Sequence, residues 1–169
     1  LTTTGGTTVL NGALENTGQT LTLNATTGSI RHSGTIQGGT IAATGGAALT
    51  TTTFDGASFT GGVVLDTNLT VNEATSVSVT GGLTVNAGRT LTLSAAGGNF
   101  TSVDFSGSQT LGGAGEVIFT GAGTNKSVRP TSGTLTIGPS LTVRSTGTGG
   151  GTVGSGALGL VNQGTITAD

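Results

Sequence analysis

Short runs in which apolar residues alternate with Thr or Ser recur along the whole chain. Each run places apolar side chains on one face of an extended strand and hydroxyl groups on the other, the pattern of a half-buried β-strand. Eight runs are predicted as strands: 20–23, 69–71, 76–79, 83–85, 90–93, 134–137, 141–143 and 165–167. No stretch has helical spacing, so the sequence predicts an all-β protein.

Glycine pairs separate many of these runs. Gly accepts positive φ at little cost, which suits tight corners between strands. The clearest cases are Gly38-Gly39, Gly45-Gly46, Gly61-Gly62, Gly81-Gly82, Gly97-Gly98, Gly112-Gly113 and Gly149-Gly150-Gly151. Runs of three to five residues are short for a β-sandwich, and a chain with five Phe and no Trp or Tyr lacks the large residues that fill one.

Comparable strand positions recur about every 20 residues, the period of a solenoid coil. This period aligns Leu23 with Ile41 and Val64 with Val85. We therefore predict one domain, residues 1–169, that forms a right-handed parallel β-helix of about seven coils of roughly 20–24 residues. An antiparallel propeller or barrel is the rival, and it predicts longer strands with two-residue hairpin turns.

The interior of such a coil is narrow. Inward Leu, Val, Ile and Ala would pack against the coils above and below, and outward Thr would stack in ladders. We expect only small aliphatic side chains in this lumen, which accounts for the absence of Trp and Tyr.

Composition excludes several functions. Charged residues make up 7% of the chain and the net charge is −2, so we expect no nucleic-acid partner. The absence of Cys excludes thiolate metal sites and thiol catalysis. No run of about 18 apolar residues predicts a transmembrane segment. Both ends read like interior coil, so we expect a fragment of a longer repeat protein, or a chain that stacks head to tail on itself.

The seven acidic residues are scattered: Glu15, Asp55, Asp66, Glu73, Asp104, Glu116 and Asp169. A glycosidase needs two carboxylates about 5–10 Å apart, which coiling could bring about for Asp55 with Asp66 or for Asp104 with Glu116. We interpret all seven as solvated turn residues. Segment 112–118 resembles a calcium-binding repeat but occurs once, with Glu116 one place too early.

The single histidine, His32, is predicted in a surface turn, because nothing in the sequence places a serine and a carboxylate around it. Lys126, Arg129 and Arg144 form the only basic concentration, near Pro130 and Pro139. Because Pro cannot donate a ladder hydrogen bond, we predict a solvated loop that departs from the coil, with an anionic-glycan site as the alternative. We assign no catalytic, cofactor-binding or metal-binding residue.

Three segments share a degenerate repeat pattern, namely 34–41 (GTIQGGTI), 106–113 (SGSQTLGG) and 160–166 (LVNQGTI). In this pattern the chain resembles filamentous-haemagglutinin-like and autotransporter-passenger proteins of bacteria. The resemblance implies a secreted or surface-exposed β-helical stalk, adhesin or fibre module, with another copy, the rest of a longer chain or surface glycans as partners. It assigns a function to no individual residue.

Two other functions remain open. Runs of Thr-X-Thr, stacked on one face, would make the flat array of hydroxyl and methyl groups by which ice-binding solenoids order water. A carbohydrate-active β-helical enzyme would need clustered acids and aromatic rings for stacking sugars. We predict a structural module without catalysis, with ice binding as the first alternative and the enzyme as the second.

Overall fold

The chain is a parallel β-solenoid with three sheets and about seven coils. The structure is a computed structural model that describes residues 6–147 and 149–168. Each coil contributes one strand to each sheet, and every pair of neighbouring strands is parallel. The all-β solenoid predicted from the alternating runs is thereby confirmed.

The strands are numbered in chain order. The first sheet contains β1 (Thr7–Leu10), β4 (Ser29–His32), β7 (Leu49–Thr51), β10 (Leu69–Val71), β13 (Thr90–Ser94), β16 (Glu116–Thr120), β19 (Thr142–Ser145) and β22 (Thr165–Thr167). The second sheet contains β2 (Ala13–Glu15), β5 (Thr35–Gln37), β8 (Gly56–Thr60), β11 (Ser76–Thr80), β14 (Thr101–Ser106), β17 (Lys126–Ser132) and β20 (Thr152–Val153). The third sheet contains β3 (Thr20–Leu23), β6 (Thr40–Ala43), β9 (Val63–Asp66), β12 (Leu83–Val85), β15 (Gln109–Gly113), β18 (Thr134–Ile137) and β21 (Gly159–Asn162).

The first corner is the turn from the first sheet to the second, and the second corner leads from the second sheet to the third. The third corner leads to the next coil. Coil lengths, measured as the step between paired residues, run from 19 residues between Ile30 and Leu49 to 26 between Leu91 and Val117. The predicted 20–24 residues holds for the coils between these extremes, and the longest coils carry the longest second-sheet strands, β14 and β17.

Two of the predicted alignments are wrong by one or two positions. Ile41 pairs with Leu21 rather than with Leu23, and it pairs with Leu65 on its other side. Val64 faces outward and pairs with Thr84. The run 63–65 is apolar at every position, so alternation alone does not set its register.

Ladders of inward apolar residues fill the lumen. The first sheet contributes Ile30, Leu49, Leu69, Leu91, Val117 and Val143, all buried. In the second sheet, Phe59 and Phe105 are fully buried on either side of Val79. The expectation that only aliphatic residues fit the lumen is therefore wrong. An aromatic ring fits there because the smaller Val occupies the coil between the two Phe.

Three of the glycine pairs turn the second corner, each with both residues at positive φ: Gly38-Gly39, Gly61-Gly62 and Gly81-Gly82. The pair Gly112-Gly113 differs, because it closes strand β15. Gly113 has a φ of 99°, and a β-carbon there would overlap the backbone of Val85 in the coil below. Glycine is required at this position by both its conformation and its close approach.

We expect Gly113→Ala to destabilise the chain by about 3 kcal/mol, because it adds a backbone clash to the strain of positive φ. The matched control is Gly88→Ala, which also has positive φ but has open space around the added β-carbon. Strain alone should cost it about 1–2 kcal/mol. Denaturant unfolding of the two variants measures the difference, and equal losses would refute the close approach at Gly113.

Candidate functional site

Two large aromatic side chains lie on the outside of the solenoid at its first corner. Phe54 is 77% exposed and Phe100 is 43% exposed. The other three Phe are buried in the lumen. An exposed ring loses the free energy that burial would contribute, so two rings on one corner are unusual in a chain with so few aromatic residues.

The strand register places the two rings in line along the rod. Gly56, Ser76 and Ser102 are paired neighbours in successive coils. Two residues before each of them stand Phe54, Ala74 and Phe100, which therefore occupy equivalent positions at the first corner. We call this row of three residues the aromatic edge. Two coils separate its rings, a distance of about 10 Å at the usual spacing between strands.

The backbone is strained at this edge. Phe54 has a φ of 62° and Ala74 a φ of 61°, and they are the only two non-glycine residues with positive φ in the described part of the chain. A left-handed conformation costs an ordinary residue about 1–2 kcal/mol relative to the right-handed one. At Phe54 this strain is not offset by burial of the ring, and strain of this kind clusters at functional sites.

Phe100 is held in place from two sides. The guanidinium group of Arg129 lies 4.6 Å from the centre of its ring, a cation–π contact. The segment that leads to it is fastened by Glu73, whose carboxylate accepts hydrogen bonds from the backbone N–H of Gly97 at 3.0 Å and from the side-chain amide of Asn99 at 3.2 Å. Desolvation opposes these hydrogen bonds, which together lower the pKa of Glu73. The ring is thus oriented before any ligand arrives.

Three ion pairs join neighbouring coils along the outside of the rod. Each links an acid to an arginine farther along the chain, over 23 to 28 residues. The pairs are Asp66–Arg89 at 3.1 Å, Asp104–Arg129 at 2.8 Å and Glu116–Arg144 at 2.9 Å. All are partly exposed, so each adds little to stability, about 0–1 kcal/mol. They neutralise charge that would otherwise mark the surface.

The carboxylate pairs considered for sugar hydrolysis do not share a face. Asp55 stands at the first corner, whereas Asp66 ends β9 on the third sheet. Asp104 lies on the second sheet and Glu116 on the first. Each of the six acids within residues 6–168 accepts at least one hydrogen bond, so none stands as an isolated carboxylate. Asp169 lies outside the described residues.

His32 faces the lumen, and its prediction as a surface-turn residue is wrong. The side chain is fully buried at the end of β4, and its ring lies 5.0 Å from that of Phe59. Its Nε2 donates a hydrogen bond to the backbone carbonyl of Ser58 at 3.1 Å. Burial, opposed by that hydrogen bond, lowers the pKa of His32 to about 4. The neutral ring acts as part of the core.

The predicted basic loop is also wrong. Lys126 begins β17, is only 1% exposed and donates hydrogen bonds to the carbonyl oxygens of Gly121 and Gly123. Burial lowers its pKa, and the negative charge of Glu73 opposes that change. Arg129 and Arg144 are in the ion pairs described above. Lys126 lies inside the coil and both arginines are neutralised, so no basic surface forms here for an anionic glycan.

Pro130 lies within β17, not in a loop, and is buried. The register between β14 and β17 shifts at this point, with Phe105 beside Pro130 and Ser106 beside Ser132. Such a bulge accommodates a residue that has no N–H to donate. The other proline, Pro139, lies in the turn after β18.

The Thr-X-Thr runs are divided between two sheets. Runs 20–22 and 134–136 lie on the third sheet, and runs 90–92 and 165–167 lie on the first. On the first sheet, Thr92 lies between Thr70 and Ile118, while Thr90 pairs with Glu116. Within the described residues no two adjacent columns of Thr form, so the geometry does not favour the flat array that ice binding needs.

The described residues contain no group of three or more His, Asp or Glu side chains placed to hold a metal ion. The same part of the chain contains no helix long and apolar enough to cross a membrane. Comparison with protein-family models, with curated proteins and with solved structures finds no match. The fold therefore places the protein in the class of parallel β-solenoids and in no particular family.

Sequence reasoning did not identify the aromatic edge. Phe54 and Phe100 belong to no alternating run, and they are 46 positions apart in the chain. An alignment of the coils by the first residue of each second-sheet strand would have brought them together, since each stands shortly before such a strand.

Proposed function

We propose that the protein is a structural module of a bacterial stalk, adhesin or fibre, carried at the cell surface or secreted, and that it has no catalytic role. The observation that carries the proposal is the unbroken ladder of three parallel sheets through seven coils. Backbone pairing between coils makes a stiff rod without any cofactor. At about 4.8 Å per strand spacing, the eight-stranded first sheet extends for about 35 Å.

The sequence resemblance to secreted bacterial repeat proteins supports an extracellular location. An antibody raised against the folded domain tests it in the source organism. We expect labelling of intact cells, or recovery of the protein from the culture medium. Labelling that requires the cells to be opened would contradict the proposed location, and release of reducing sugar from polysaccharides by the purified chain would contradict the non-catalytic role.

We further propose that the coil bearing β21 and β22 docks on another coil, supplied by a second copy or by a longer chain. Leu160 and Ile166 continue inward ladders yet are 38% and 41% exposed. Beside them a cavity of about 410 Å³ opens between Phe119, Val143 and Ile166. Apolar lumen residues in this position would be covered by the next coil of a solenoid, which would also pair with the edge of β22.

Two variants of β21 separate this docking from adhesion along the side of the rod. Leu160 points along the lumen ladder from Leu135, whereas Val161 pairs with the outward Thr136 and is 43% exposed. We expect Leu160→Glu to abolish concentration-dependent association in sedimentation experiments and Val161→Glu to preserve it. If the unaltered chain remains monomeric at high concentration, docking between copies is wrong.

A further inference from the structure

We propose that the aromatic edge binds an extended, neutral polysaccharide, which lies along the rod with alternate sugar units stacked on Phe54 and Phe100. The proposal extends the adhesive role proposed above and rests on it. It concerns the first corner of three successive coils, from β7 to β14.

The spacing of the rings fits a polymer. Successive strands of the sheet are about 4.8 Å apart, close to the advance of one sugar unit in an extended chain. A unit stacked on Phe54 would be followed by one above Ala74 and a third on Phe100. Ala74 has a small side chain, which leaves space for the middle unit between the two rings.

The chemistry of the rings fits a sugar face. The C–H groups on one face of a pyranose carry partial positive charge, and the face of an aromatic ring is negative. Arg129 stacks on Phe100 from the protein side and orients it. Around the rings lie exposed polar groups that can exchange hydrogen bonds with hydroxyls, among them Asp55, Ser76 and Asn99.

The charges favour a neutral ligand. Asp55 and Glu73 stand beside the edge and would repel an anionic polymer. The nearest cation, Arg129, is 2.8 Å from Asp104 and is therefore neutralised. A protein partner fits less well, because a stable interface buries about 800 Å² on each side, far more than two rings in polar surroundings provide.

The strain at Phe54 is the second, independent observation. A glycine or asparagine would relieve the positive φ, and 77% exposure means that the ring contributes little to the packed core. The fold therefore does not require the ring. A ligand that stacks on it gives a physical reason for its presence.

Isothermal titration calorimetry on the purified chain tests the proposal with neutral β-linked hexasaccharides of glucose, mannose and xylose, and with an oligogalacturonate as the anionic probe. We expect binding of at least one neutral probe and none of the anionic one. Phe54→Asn and Phe100→Ala should each weaken binding about tenfold, and the double variant should abolish it. Phe54→Tyr, which keeps an aromatic ring, should bind within about twofold of the unaltered chain.

The matched control is Thr80→Ala, an exposed change on β11 away from the edge, which should bind as the unaltered chain does. Melting temperatures show that each variant is folded, and Phe54→Asn should melt no lower than the unaltered chain. The proposal is overturned if no neutral probe binds, if the ring variants bind normally, or if only the oligogalacturonate binds. Surface labelling of cells is independent of these results, so the structural role would then stand without this ligand.

Discussion

Leu91→Asp is expected to unfold the middle of the solenoid. Leu91 is fully buried in β13, between Leu69 of the coil before and Val117 of the coil after. A carboxylate there would lose its hydration with no cation or donor to replace it. We expect a loss of at least about 4 kcal/mol, a large part of the stability of an ordinary domain. Val85→Asp, on the third sheet, should behave in the same way, because Val85 is equally buried.

The matched control is Thr92→Asp, one residue farther along the same strand. Thr92 faces outward between Thr70 and Ile118, so a charge there stays in water. We expect a change of no more than about 1 kcal/mol. Thermal and denaturant unfolding followed by circular dichroism compare the variants, and similar melting temperatures for Leu91→Asp and Thr92→Asp would refute the assignment of the two faces.

Acid is expected to destabilise the chain through His32 at a pH where most carboxylates are still ionised. The pKa of this residue is about 4 in the folded chain and about 6.5 in an unfolded one. Between these values the unfolded chain binds a proton that the folded chain does not, so the free energy of unfolding falls as the pH falls. The expected loss between pH 7 and pH 5 is about 2 kcal/mol.

His32→Gln isolates this effect, because glutamine keeps a donor for the carbonyl of Ser58 but does not titrate. Urea unfolding of both proteins at pH 7, 6 and 5 gives the measurement. We expect the unaltered chain to lose stability over this range and His32→Gln to lose about 2 kcal/mol less. Parallel pH dependence in the two proteins would mean that His32 is already protonated or exposed in the folded state.

The strands that sequence alone predicted are those in which apolar and hydroxyl residues alternate strictly. Each of the eight predicted runs overlaps a strand, and β3 and β18 have the predicted bounds. Alternation succeeds there because the pleat of a strand places successive side chains on opposite faces. Strands β4 and β17 were missed, since their inward positions include His32 and Lys126, which a pattern of apolar residues does not register.

The candidate site could not be predicted because its parts come from different coils. Phe54 and Phe105 are the same residue type, yet one is exposed at a corner and the other is buried in the lumen. Which of these occurs depends on the register of each coil relative to the next. Coil lengths vary from 19 to 26 residues, so that register does not follow from a fixed period.

Local sequence determined the strand class, the short strand length and the positions where only glycine can turn the chain, because these depend on side-chain alternation and on φ at single residues. Tertiary structure alone decided which polar residues enter the core and which aromatic residues leave it. His32 and Lys126 are accommodated inside by backbone carbonyls that folding brings to them, in the next coil and in the preceding turn. Phe54 and Phe100 come into line only because pairing between coils sets residues that are far apart in the chain side by side.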